Sequence, residues 1–473
     1  MGTVMLNKLA EKMLSLWNVK KEFRLKVFLL SLTFLFMSAC QAIWRPLRNA
    51  IFAKMVGAEF VPDAKIYSLL FLIPLILIYS KLVDWLRRHQ LLYVFLLLHA
   101  IGGIILYFFL INPVYGLANT EIGTNRIVGW AIYFFQESFA AFMSMSFWSF
   151  ADSINNPSDA KNYYGLFVAG SKIGSIITAG TLYLATSGMA VTQDQIILPK
   201  FLLAGSLLLG CAFITLYFLM KYVPGYYMHG YEAVYKVEKA REKEEEKEKF
   251  SFINMLKKPF EGLIVMIKNP YVLGIFGLVL FYEVTIVIFD YVVLLAADAS
   301  HSSAGSLTAF YAGYYVSMNL VGLVITLFGT TPFLRVFGIN KALYIFPIIS
   351  IAIITLTIIH PSASMLLIAL VLLRALNYAL NHPTREILYI PTTKAIKFKA
   401  KAWTDAFGGR ISKGAGSVLN ISMKKLVPIT FLYANLFISL GLMGLWLVVV
   451  SFLSKKLKKV IADETIIGEK PII

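Results

Sequence analysis

Apolar residues in this chain come in long blocks, without strand-like alternation or one-sided helical stripes. A helix needs about 20 mostly apolar residues to cross a bilayer. Twelve such blocks can be marked: Arg24–Trp44, Lys65–Val83, Leu91–Ile111, Ile127–Phe150, Tyr163–Thr186, Phe201–Tyr222, Tyr271–Ala296, Leu307–Thr330, Ala342–His360, Ser364–Asn381, Trp403–Met423 and Ile429–Leu453. The pattern predicts an all-α polytopic membrane protein of twelve transmembrane helices. The fourth, fifth and eleventh blocks are the least oily. They carry Ser, Gly and charges, as helices lining a cavity do.

The longest connection runs from Pro224 to Asn269 and holds EKAREKEEEKEKF at Glu238–Phe250, which reads as a solvated charged helix. It divides the chain into an N-terminal six-helix bundle (1–223), a charged cytoplasmic linker (224–269) and a C-terminal six-helix bundle (270–473). Two six-helix halves are the layout of major-facilitator-like transporters. A trace of duplication supports it. AKNYYGLFVAG (Ala160–Gly170) aligns with AKAWTDAFGGR (Ala400–Arg410) at an offset of 240, where the fifth and eleventh blocks begin.

Composition narrows the class further. Of 473 residues, 58% are hydrophobic and 15% charged, against about 25% charged in soluble chains. That excludes a soluble enzyme, a disordered chain and a secreted disulfide scaffold. The net charge of +18 mostly follows loops expected in the cytoplasm. Lys8, Lys12, Lys20 and Lys21, then Lys81, Arg87 and Arg88, then Lys394, Lys397, Lys399 and Lys401, then Lys455, Lys456, Lys458 and Lys459 fall on one side of an even-span protein. Both termini are therefore expected in the cytoplasm. No basic soluble domain exists to bind a nucleic-acid polymer. Cys40 and Cys211 each lie inside an apolar block and form no disulfide or metal framework. FMSAC at Phe36–Cys40 resembles a lipoprotein cleavage site, but the apolar run continues past it.

Charges inside the blocks are the functional candidates, because each is costly in a bilayer. Arg45 and Arg48 lie three apart in IWRPLRNAIF, with Pro46 between them. They read either as an anion grip or as side chains snorkelling to the interface. Gln136 and Glu137 interrupt the fourth block. Glu283 and Asp290, seven apart, share a face of the seventh. A carboxylate there needs a cation or a raised pKa. One reading is fixed pairing with Arg45, Arg48 or Arg374. The other is a gate that releases when substrate phosphates take the cations. Lys172 in AGSKIGS and Lys413 in GGRISKGAG, with Arg410 nearby, lie in corresponding blocks among small residues. Such cations suit phosphate better than sugar. The glycines serve either a ligand's approach or close helix packing.

Six histidines are scattered, and no HExxH, GxSxG or Walker loop occurs. The chain is not expected to be an enzyme, and no cofactor is implied.

Three stretches resemble the ATP/ADP translocases, the nucleotide transporters of plastids and obligate intracellular bacteria. TREILYIP (Thr384–Pro391) resembles that family's T-K-E-M-A-Y-I-P. KFKAKAWTDAFGGRISKGAGS (Lys397–Ser417) resembles its K-V-K-G-K-A-A-I-D followed by G-K-S-G-G. FWSFADSINNPSDAKNYYGLF (Phe147–Phe167) resembles its F-W-x-F-A-N-x-I followed by A-K-x-F-Y-x-L-F. The resemblance implies a major-facilitator-like fold and nucleotide transport through two lysines and two glutamates in the membrane. Arg48 falls where the family has Lys in L-K-D, and Asn49 where it has Asp. Glu137 and Glu283 match the two glutamates. Arg385 matches the Lys of T-K-E, and the second key lysine is this position or lies nearer Lys401 or Lys413.

Together these readings predict ATP-for-ADP exchange by alternating access in a bacterial inner membrane. Arg48, Arg385, Lys172 and Lys413 would hold phosphates, and Glu137 and Glu283 would act in gating or coupling. Arg45, Asp290, Arg374, Lys401 and Arg410 are secondary candidates. The expected partners are ATP, ADP and the lipid bilayer, with the protein a monomer. The alternatives are proton-coupled uptake of another nucleotide or organic phosphate, and a polytopic lipid enzyme or scaffold.

Overall fold

The structure is a computed structural model. It describes residues 19–155, 157–228, 261–325, 331–389, 391–393, 396, 400–404, 408–463 and 465–468. The charged stretch Glu238–Phe250 and the basic residues Lys8, Lys12, Lys394, Lys397 and Lys399 lie outside these residues.

Among the described residues, each of the twelve blocks falls on a helix. The first six are α1 (Arg24–Phe52), α2 (Val61–Trp85), α3 (Arg88–Ile111), α4 (Ile127–Ile154), α5 (Pro157–Thr186) and α6 (Asp194–Tyr222). The others are α7 (Pro270–Ser300), α8 (Ala304–Ile325), α9 (Thr331–Ile359), α10 (Ala363–Leu376), α11 (Gly409–Met423) and α12 (Pro428–Ala462). Eight stretches are long and apolar enough to span a membrane on their own, and the first of them holds both α1 and α2. The more polar α4 and the shorter α10 and α11 complete the set. Exposed side chains such as Leu77 (64%), Phe108 (62%), Leu184 (76%) and Val448 (67%) form the surface that lipid covers.

Two helix ends depart from the apolar pattern for physical reasons. The first block stops at Trp44, yet α1 runs through Arg45, Pro46 and Arg48 to Phe52 and then into a π-helical segment, Ala53–Gly57. Buried neighbours, and Asn49 and Glu137 on the Arg48 guanidinium, let charge and proline persist there. At its lower-numbered end, α6 begins seven residues before Phe201, at Asp194.

Packing separates two compact units. The described residues up to Ala58, from Leu70 to Met228 and from His301 to Val316 form the first. Glu59–Leu69, residues 261–300 and those from Ser317 onward form the second. Inside the first, α1 packs on α4, α5 and α6, while α3 packs on α4 and α6. Inside the second, α7 packs on α10, α11 and α12, while α9 packs on α10 and α12. Every one of these pairings recurs six helices later, so the weak sequence duplication is a structural one.

Small residues make the two matching contacts close. A Cβ on Gly174 of α5 would stand 2.7 Å from the Leu35 carbonyl oxygen of α1, and one on Gly416 of α11 would stand 2.9 Å from Val287 Cβ of α7. Thr178 donates to the Ala39 carbonyl at 3.1 Å across the first contact, and Asn420 to the Val287 carbonyl at 3.3 Å across the second. Glycines near Lys172 and Lys413 therefore serve helix packing. Each unit also encloses a tryptophan. Trp44 meets Phe135 and Phe139 at 5.2 and 5.1 Å, and Trp446 meets Phe346 at 4.8 Å.

Candidate functional site

Helix α1 delivers two arginines on one face. Pro46 removes a backbone donor between them, and the π-helical segment that follows re-aims the chain. Arg48 is buried, and its Nη1 donates to Glu137 Oε1 of α4. Its Nε and Nη2 donate to Asn49 Oδ1 at 3.1 and 2.9 Å. The guanidinium carbon lies 4.8 Å from the centre of the Tyr133 ring, one turn before Glu137 on α4. Arg48 is thus fixed on carboxylate, amide and ring, and does not snorkel. Arg45 lies over Tyr315, 5.1 Å from the ring centre. Lys172 is half-buried on α5.

The second unit holds three ion pairs around the remaining candidates. Arg374 of α10 donates through Nη2 to both oxygens of Asp290 of α7, at 2.8 and 2.6 Å. Lys413 of α11 lies 3.7 Å from Glu283 of α7, with the lysine side chain 53% exposed and the glutamate 20%. Beyond α10 a π-helical segment, Asn377–Asn381, leads into a short helix, His382–Leu388. Arg385 is buried there. The next residue, Glu386, takes Lys401 Nζ at 2.5 Å, and that ammonium also lies 5.6 Å from the Tyr389 ring centre. Arg410 is half-buried at the start of α11.

The structure thus joins Arg48 to Glu137, Asp290 to Arg374, and Glu283 to Lys413. Tyr133, Tyr315 and Glu386 were missed as partners. Tyr133 had a signal, because it precedes Glu137 by one helical turn. Tyr315 had none, since a ring 270 positions from Arg45 meets it only through the tertiary fold. In each pair a cation meets a carboxylate of another helix.

The fold and this set of charges define the class: a polytopic, major-facilitator-like membrane transporter. A D-xylose–proton symporter superposes with a TM-score of 0.61 at 12% identity, covering 90% of this chain and 96% of that one. A nucleoside transporter gives 0.60 at 13%, covering 90% and 99%. These likenesses show the fold alone. The family model described as TLC ATP/ADP transporter matches residues 5–457, so the chain belongs to that family and is a nucleotide transporter. Its relatives include ADP,ATP carrier protein 1 of Chlamydia muridarum, 24% identical over 455 residues, 85% of this chain and 83% of that protein. The protein of the same name in Rickettsia prowazekii is 23% identical over 466 residues, 87% of this chain and 89% of its own length.

Proposed function

We propose that the protein exchanges ATP for ADP by alternating access, as a monomer in a bacterial inner membrane with both termini in the cytoplasm. The observation that carries this reading is the pairing of membrane-embedded cations with carboxylates, Arg48 with Glu137 and Lys413 with Glu283. A nucleotide's phosphates offer more charge and more acceptor oxygens than one carboxylate, and a guanidinium fork matches them. Phosphate takes Arg48 and Lys413, and Glu137 and Glu283 are released. When the nucleotide leaves, each carboxylate returns to its cation. Re-forming the pairs holds the unloaded carrier in place, so net movement requires a nucleotide in each direction. Arg385 and Lys172 add positive charge for the remaining phosphates.

The test is uptake of labelled ATP into proteoliposomes with and without internal ADP. Internal ADP is expected to drive uptake, and a pH gradient to leave it unchanged. Uptake that needs a pH gradient and ignores internal ADP would overturn the reading in favour of proton-coupled import. Tag accessibility in intact cells checks the topology, and an external C-terminus would reject it.

A further inference from the structure

Apart from the ion pairs, the second unit contains a cavity of about 430 Å³ between the start of α7 and the end of α12. That is within the usual size of ligand pockets, roughly 300–1,000 Å³. Among the described residues its wall carries two cations, Lys268 and Lys456, and no carboxylate. Both lysines are exposed. Each has an apolar neighbour on its own helix face. On α12, Phe452, Lys456 and Val460 are spaced four apart and all line the cavity, with Phe452 44% exposed. On the short helix Glu261–Lys268, Ile264 shares the face of Lys268 one turn away and is 43% exposed. The chain's C-terminal segment closes the far side. Ile467 donates to the Pro391 carbonyl at 2.9 Å and accepts from Thr393 at 3.0 Å.

We propose that this cavity binds the phosphodiester headgroup of an anionic membrane lipid, with Lys268 and Lys456 on the phosphate and their apolar neighbours along the acyl chains. Cation above apolar surface on two converging helices, at the membrane end of two spans, is the complement of an amphipathic anion. A free phosphate or nucleotide would use the lysines and leave Phe452 and Ile264 without a role. The site is separate from the Arg48, Glu283 and Lys413 chemistry and depends only on the chain's being in a bilayer. It also touches the family's signature segment, because Tyr271 of its wall donates to the Leu388 carbonyl at 3.0 Å.

The experiment is native mass spectrometry of the purified full-length protein in neutral detergent, titrated with phosphatidylglycerol, phosphatidylcholine or inorganic phosphate. Wild type is expected to retain phosphatidylglycerol in preference to phosphatidylcholine. Lys268→Gln with Lys456→Gln is expected to weaken phosphatidylglycerol by about tenfold or more, while the Lys→Arg pair keeps it. Millimolar inorganic phosphate is expected not to displace the lipid. Equal retention by wild type and the Gln pair, or equal affinity for the two lipids, would overturn the proposal. Displacement by inorganic phosphate would overturn it too, assigning the lysines to a free anion. Should the Gln pair fail to insert, the single Lys456→Gln variant is read by the same outcomes.

Discussion

The first unit joins α1 to α4 through Arg48 and Glu137, and the second joins α7 to α10 through Asp290 and Arg374. The helices correspond. Asp290 stands 242 positions after Arg48 and Arg374 stands 237 after Glu137, close to the 240 offset of the sequence repeat. In each pair the cation is the more buried partner, with side chains 10% and 9% exposed against 28% and 27% for the carboxylates. Only the polarity is exchanged between the first and second helix of the pair. Duplicated packing therefore fixes where an ion pair sits and leaves its sign free. The third pair breaks the pattern. Lys413 and Glu283 lie 3.7 Å apart with the lysine half exposed, and no matching carboxylate stands in α1, where the corresponding positions are Gln41, Ala42 and Ile43. Two pairs keep the cation buried, and the third leaves it half exposed.

The largest effect expected is at Arg48. Arg48→Ala should abolish exchange in protein that still inserts, and Arg48→Lys should keep part of it, since charge survives and the fork does not. Labelled ATP uptake at matched amounts of inserted protein decides this. Near-normal uptake by the Ala variant would make Arg48 a brace like Arg374.

Asp290→Asn tests the other side of the comparison. It removes the charge that faces a buried Arg374, and breaking a buried pair from one side costs roughly 3–5 kcal/mol. The loss should appear as less folded protein and a lower thermal midpoint, with exchange per folded molecule close to wild type. A full-length, stable variant with no exchange would place Asp290 in the transport step instead.

Lys413→Gln should act in the opposite sense. A half-exposed pair at 3.7 Å contributes little to stability, about 0–1 kcal/mol. The same openness lets the ammonium reach phosphate, so nucleotide affinity should fall by about 1–3 kcal/mol, the range for hydrogen bonds to charged groups. Unchanged affinity in a binding assay would reduce Lys413 to helix packing.

Much of this fold could be read from the sequence because bilayer thickness imposes a length on every span. Among the described residues each block lies on a helix, and the helix pairings recur six helices later. The helix ends were less legible. The first block ends at Trp44 because Arg45, Pro46 and Arg48 follow, and tertiary partners for Arg48 let α1 continue through them to Phe52. At the candidate site, the chain marked which residues are costly in a membrane, and Arg48, Glu137, Glu283, Asp290, Arg374 and Lys413 among them are found in ion pairs. It did not say which charge meets which. Glu283 was as plausible a partner for Arg374 as Asp290, since they share a face of α7. Seven residues of helix rise, about 10 Å, separate the two, and packing of α10 and α11 at different heights settles the pairing. The aromatic partners Tyr133 and Tyr315 were hidden among rings that make up 14% of the chain.

The smallest effect expected is the most specific to the difference between units. Asn49 Oδ1 accepts two hydrogen bonds from the Arg48 guanidinium, and the aligned family motif has Asp there. Asn49→Asp keeps the shape and turns two hydrogen bonds from a cation to a neutral oxygen into an ion pair. Arg48 would then be held by two carboxylates, and an arriving phosphate would have to displace both. The added stabilisation is about 1 kcal/mol, the difference between hydrogen bonds to neutral and to charged acceptors. Half-saturating ATP should rise about fivefold, with a slightly higher thermal midpoint. Exchange assays over a range of external ATP give the first number and thermal melting the second. A higher midpoint with unchanged half-saturation would mean that Arg48 stays on its neighbours throughout transport. The two units would then differ only in the sign of a brace, and the phosphate-binding cations would have to be sought among Lys172, Arg385 and Lys413.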